Sequence, residues 1–145
     1  MGGVEYAVPI GIVILLYLLF PAYLKNRQQR LVEHFRDEFR GTLIRAGEVR
    51  LVGKYFTFPA AIALTSDYII VHNAWSLYRD EVPLERLRNL ALQYKFTRTT
   101  PHPEDDVAGE PGNLLIITTS EQTYRLIFED PGEAPEWKES IERAV

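Results

Sequence analysis

From Tyr6 to Leu24 the chain reads YAVPIGIVILLYLLFPAYL, nineteen residues without a charge in a sequence of which 25% is Asp, Glu, Lys or Arg. At about 1.5 Å per residue a helix of this length spans about 28 Å, close to the roughly 30 Å hydrocarbon core of a bilayer, and it satisfies its own backbone N–H and C=O groups. The run therefore predicts one membrane-spanning helix. A core helix of a soluble domain is the competing reading, but such helices ordinarily keep a polar face, which this run lacks. A cleaved secretory signal opens on Lys or Arg and closes on small residues, whereas Met1-Gly2-Gly3-Val4-Glu5 leads in here.

Orientation follows from the flanks. Lys25 to Arg40 holds five basic residues (Lys25, Arg27, Arg30, Arg36, Arg40) against three acidic ones. The positive-inside bias then expects the N-terminus outside and the C-terminal bulk in the cytoplasm, with the chain a single-pass protein of the cytoplasmic (inner) membrane. Tyr6, Tyr23, Lys25 and Arg27 are the candidate membrane-interface residues. Pro9 is expected near the first helical turn, where its missing N–H costs nothing, and Pro21 at a kink or at the exit from lipid. No ionisable side chain lies within the run, so an ion or proton path through this helix alone is not expected, and its role is to anchor or to pack.

Three segments result: 1–24 as tail and transmembrane helix, 25–41 as an amphipathic stalk, and 42–145 as one cytoplasmic domain. In the stalk, Leu24, Leu31, Phe35 and Phe39 recur at helical spacing among charges of both signs. That mixture favours docking on the domain or a partner over lying on the membrane, and Gly41 ends the helix. Residues 41–145 carry eleven Lys/Arg against sixteen Asp/Glu, a net of −5, which argues against nucleic acid and against broad adhesion to anionic lipid. The absence of cysteine excludes disulfides and thiolate metal sites.

The domain alternates β-branched and aromatic runs with turn residues, predicting strands at 49–56, 61–65, 68–73, 76–82, 88–96, 114–119 and 123–128. Ser66-Asp67, Asn73-Ala74-Trp75 and Ser120-Glu121-Gln122 are the expected tight connections. A closing helix is expected over 134–145, with Pro135 near its start and Trp137 and Ile141 on one face. Thr97 to Gly112, rich in Pro, Gly and acid, is expected to be an exposed loop.

This order, with Gly47-Glu48 ahead of a strand, the hairpin IALTSDYIIVHN from Ile62 to Asn73 and the phrase EVPLERLRNLALQY from Glu81 to Tyr94, resembles a pleckstrin-homology-like domain of the bacterial PH or GRAM-like kind. Leu64-Thr65 and Val82-Pro83-Leu84-Glu85-Arg86-Leu87 stand at the places of that family's short phrases. The resemblance implies an α+β fold, a seven-stranded, partly open β-barrel capped by a C-terminal helix that packs Trp137 into one end. Members that hold phosphoinositides present several cations around the first hairpin. Here only Arg50 and Lys54 do so, and a phosphoinositide site is not expected.

No chemistry-bearing motif emerges. His34, His72 and His102 have no neighbours at metal-ligand spacing, and His102 among Glu104, Asp105 and Asp106 lacks a calcium-loop pattern. No nucleophile elbow, phosphate-binding glycine loop, dinucleotide fingerprint or zinc-protease motif occurs, and Asp80-Glu81, adjacent on a strand, point to opposite faces. Neither an enzyme nor a cofactor is expected. The unusual feature is aromatic: Tyr55, Phe58, Pro59, Trp75 and Tyr78, around two loop tips, are the candidate protein-contact residues. Phe56 is expected in the core, while Phe58 and Trp75 fit core or contact surface equally. Such a patch suits a protein contact or a shallow dip into lipid, and the negative domain favours protein. The expected function is a non-catalytic, single-span accessory or assembly subunit of a larger integral-membrane complex, respiratory or photosynthetic assemblies being hosts by analogy. The alternative is a free-standing adaptor or sensor that binds a peptide or lipid.

Overall fold

A computed structural model describes residues 2–93, 113–130 and 132–145, with side chains from Ala7 onward. The expectations for Tyr6 and His102, for the end of the fifth strand and for the loop 97–112 fall outside what it describes.

One helix, α1, runs from Gly2 to Glu38 and joins the apolar run to the stalk without a break. Among the described residues it is the one helix long and apolar enough to cross a membrane. Pro21 sits inside it, and Pro9 lies two turns in rather than near the first turn, because the helix already starts at Gly2. The helix stops at Gly41, whose φ of +91° only glycine adopts without strain. The amides of Thr42 and Leu43 then both return to the Phe39 carbonyl.

Seven antiparallel strands follow: β1 Leu43–Val52, β2 Thr57–Thr65, β3 Tyr68–Asn73, β4 Asp80–Pro83, β5 Leu87–Gln93, β6 Leu114–Thr119 and β7 Thr123–Ile127, with the 3-10 turn Leu84–Arg86 between β4 and β5. Their order is β4-β3-β2-β1-β7-β6-β5, so β4 and β5 form two unpaired edges and the sheet does not close. β1 pairs with β2 along its whole length but with β7 only at Arg50 and Leu51, and there the sheet divides into two halves. Helix α2, Glu133–Ala144, fills the opening between them with Ala134, Trp137 and Ile141. Gly47 lets β1 pass close to it, since a Cβ there would stand 3.4 Å from the Trp137 ring.

Several boundaries differ from the sequence reading, among them the β1–β2 connection, since β1 ends at Val52 rather than at residue 56 and β2 starts at Thr57 rather than at residue 61. β1 starts at Leu43 rather than at residue 49, because Leu43 pairs with Thr65 as soon as the chain leaves α1. β4 starts at Asp80 rather than at residue 76, because the Asn73 side chain accepts from the Trp75 amide and Ser76 Oγ from the Tyr78 amide, so that side chains hold these amides in turns.

Strand β2 explains how the helix is held. Ala60, Ile62 and Leu64 face the barrel interior with Val49, Ile69, Val71, Leu115, Ile117, Leu126 and Phe128. The alternate residues Ala61 and Ala63 join Ile70, Val32 and Phe35 in a second apolar cluster under α1, so both faces of β2 are buried. Alanines on the outward face let the helix approach closely, and Phe35 is completely buried between them. The observed helix stripe is Leu24, Gln28, Val32 and Phe35. Gln28 lies in it because its Nε2 donates to the carbonyls of Val49 at 2.8 Å and Ala60 at 2.9 Å.

Candidate functional site

The β1–β2 and β3–β4 loops share one end of the barrel, the end at which α1 leaves the domain. The β1–β2 loop is a tight reversal in which the Gly53 amide donates to the Phe56 carbonyl at 2.8 Å. Glycine is required at that point, since a Cβ would come within 2.7 Å of the Phe58 ring and 2.9 Å of the Phe56 carbonyl oxygen. Phe58 is thereby pressed between Gly53 and Trp75, half-buried, its ring centre 6.0 Å from that of Trp75 in an edge-on contact. Pro59 is also half-buried, and its carbonyl accepts from the Ala74 amide, which joins the two loops.

The remaining aromatic residues point outward. Trp75 is 55% exposed, Tyr55 66%, Leu77 80% and Tyr78 84%, and Phe56, expected in the core, is 68% exposed. The reason is local: the turn that begins at Gly53 spends Tyr55 and Phe56 in the reversal, so Thr57 is the first residue of β2. Lys54 lies over the Tyr55 ring at 5.4 Å. Together these side chains form an exposed apolar rim of two loops.

Helix α1 grips the β3–β4 loop at three heights. Phe20 meets Trp75 edge-on, with ring centres 4.7 Å apart. Arg27 Nη2 donates to the Ser76 carbonyl at 2.7 Å, and that carbonyl also faces His72 Nε2 at 3.0 Å. Glu38 receives Arg79. Of the candidate interface residues, Tyr23 is exposed and stacks on Phe20, Lys25 is exposed, and Arg27 is half-buried against the domain, with its Nε buried and unpaired. Burial, with the cations Arg27 and Arg79 nearby, lowers the His72 pKa below its ordinary value.

A second polar cluster spans the gap beside edge strand β4. Tyr124 donates to Asp80 at 3.1 Å, Gln122 reaches the same phenol oxygen, and Arg86 pairs with Glu121 at 2.9 Å. Burial and the Asp80 carboxylate push the Tyr124 phenol up to about 12. Side chains thus bridge a seam that the backbone leaves open. Among the described residues no three His, Cys, Asp or Glu side chains gather at metal-binding distance. The contributions of Phe20, Gln28, Leu77 and Arg79 were not foreseen from sequence; for Gln28, an amide on the buried stripe of a helix was the available signal.

Solved structures share this architecture. The N-terminal PH domain of human ARAP2 superposes with a TM-score of 0.52 at 14% identity, over 69% of this chain and 76% of that one. The C-terminal PH domain of human FGD3 gives 0.51 at 14% identity, over 72% and 88%. The C-terminal domain of an unknown protein from Leishmania infantum gives 0.54 at 11%, over 78% and 94%. The domain therefore has a pleckstrin-homology-like fold, placed here behind a long apolar helix. No protein-family model matches the sequence, and no curated protein does.

Proposed function

We propose that this chain is a non-catalytic, membrane-anchored interaction subunit. It holds a PH-like domain at fixed height and orientation on the cytoplasmic face, as an accessory or assembly part of a larger integral-membrane complex. The observation that carries the reading is the junction between span and domain. Residues 24–38 of α1 are simultaneously the continuation of the apolar helix and part of the domain's packing, through Leu24, Gln28, Val32 and Phe35. A free-standing adaptor that searches for ligands benefits from a flexible tether. This junction contains none, which suits a part that must meet neighbours in one geometry.

Purification of the tagged protein from its native membrane in mild detergent, followed by native electrophoresis and mass spectrometry, tests this. Stoichiometric co-migration with integral-membrane partners is the expected result. Recovery as a lone small species would replace the subunit reading with the adaptor reading. Protease added outside intact cells should leave the domain uncut, and its cleavage would reverse the proposed orientation.

A further inference from the structure

We propose that the apolar rim formed by Tyr55, Phe56, Trp75, Leu77 and Tyr78 is embedded in the interfacial layer of the bilayer, so that the domain rests rim-down on lipid beside its own transmembrane helix. The inference rests on the reading of α1 as a membrane span. It commits the exposed patch to a lipid surface rather than to a protein.

Height along the helix sets what the rim can touch. Lys25 is the first charge after the apolar run, and Phe20 lies five residues before it, about 7 Å deeper along the helix. Trp75 is in ring contact with Phe20, so it shares that depth wherever the span is placed. An independent estimate agrees. Gln28 is bonded to the carbonyl of Ala60, and Thr57, the first residue of β2, lies three residues back, about 10 Å at strand rise, with Phe56 next beyond it in the turn. For a strand running along the helix this corresponds to about seven helical residues, reaching the neighbourhood of Pro21. Both loop tips thus stand at the level of uncharged helix.

The chemistry fits the place. Trp and Tyr carry an apolar body with one polar handle and concentrate at the membrane–water boundary. Lys54 flanks the rim on a stem long enough to keep its charge in the headgroup layer. The rim is continuous with the exposed apolar surface of α1 through Phe20 and Tyr23. The domain's net charge of −5 opposes attraction to anionic lipid, so apolar burial supplies the affinity and uncharged headgroups suffice. In this pose the β2–β3 turn and the C-terminal end of α2, at the opposite end of the barrel, face away from the membrane and are free to meet a partner.

The sequence has no cysteine, which allows single-site labelling of the full chain. Leu77→Cys, Asp67→Cys in the β2–β3 turn and Ile14→Cys in the span would each carry an environment-sensitive fluorophore in phosphatidylcholine vesicles at high lipid excess. Lipids with a quencher near the headgroup should quench the label at position 77, and aqueous iodide should not. The label at 67 should show the reverse, and the label at 14 should respond to a quencher deep in the acyl chains. Iodide quenching at 77 with the label at 14 still deep would overturn the rim placement and leave the anchor standing. Iodide quenching at 14 would overturn both. Shielding at 77 that disappears as protein is diluted in lipid would mean self-association, and would also overturn the proposal.

Discussion

Arg79 and Glu38 meet in a two-pronged ion pair, Nη1 to Oε2 at 2.5 Å and Nη2 to Oε1 at 2.6 Å, which ties the β3–β4 loop to the last turn of α1. The guanidinium lies over Phe39 at 5.3 Å and Phe35 at 5.9 Å, and Glu81 takes a further bond at 2.9 Å. Exposed pairs contribute little, but a planar fork held over two rings is the favourable case. Arg79→Ala should cost about 1 kcal/mol in denaturant unfolding of the full chain in mild detergent. Arg79→Lys should recover only part of that, because a single ammonium cannot span both carboxylate oxygens. Equal stability of all three proteins would show that the pair is idle.

Phe35 locks the helix onto the sheet. Its ring is fully buried against Ala61, Ala63 and Ile70. Phe35→Ala should destabilise the chain by about 3 to 5 kcal/mol, the usual cost of emptying a large buried ring site. Ala63→Leu should cost about 1 to 3 kcal/mol from the opposite direction, by pushing the helix away from β2. Thermal unfolding in detergent measures both, and a near-neutral Ala63→Leu would mean that the contact between α1 and β2 is loose.

His72 should make the junction sensitive to acid. Its ring faces Phe35 and the Ser76 carbonyl, the cations Arg27 and Arg79 lie nearby, and burial is the largest cause of its lowered pKa. A histidine whose folded pKa lies below its unfolded value resists protonation only when folded. Stability is therefore complete above an unfolded pKa of about 6.5 and declines as pH falls through the window beneath it. Denaturation midpoints should drop as pH falls below about 6.5, and His72→Gln should flatten that slope. The Glu38 carboxyl, held below its ordinary value first by its bond to Arg79, withdraws its contribution only at lower pH, so the two limbs separate. An unchanged slope in the His72 variant would assign the acid response elsewhere.

How much of this could be read in advance depended on whether the signal was local. The apolar run needed only counting, and strands β3, β6 and β7 were marked by β-branched runs between turn residues. Trp137 and Ile141 declared one face of α2 by their spacing. Phe56 was misplaced because Tyr55-Phe56-Thr57-Phe58 alternates like a strand, while the decisive fact, a Gly53 amide returning to Phe56, belongs to the folded turn. Arg79 was invisible for a different reason, and of Gln28 only its place on the stripe was legible. Their partners lie 41 residues away in one case and 21 and 32 in the other, and side-chain contacts across elements leave no mark in a single sequence. The height of the rim was likewise not available, since it depends on Trp75 meeting Phe20.

Tyr124 and Asp80 supply the alkaline counterpart. The phenol is buried at the open seam, donates to Asp80 at 3.1 Å, and has its pKa pushed up to about 12, first by burial and then by the neighbouring carboxylate. A tyrosine whose folded pKa lies above its unfolded value of about 10 gives stability that is whole below that value and is lost as pH rises through the folded one. Tyrosinate absorbance should therefore rise in two stages, with Tyr124 ionising last, and Tyr124→Phe should remove the late stage. Asp80→Asn keeps an acceptor but removes the repelling charge, so it should bring the late stage to lower pH while leaving the fold intact. If Tyr124 titrated together with the exposed tyrosines in the unaltered protein, the seam between β4 and β7 would be open to water, and these side chains would not be closing the gap that the sheet leaves.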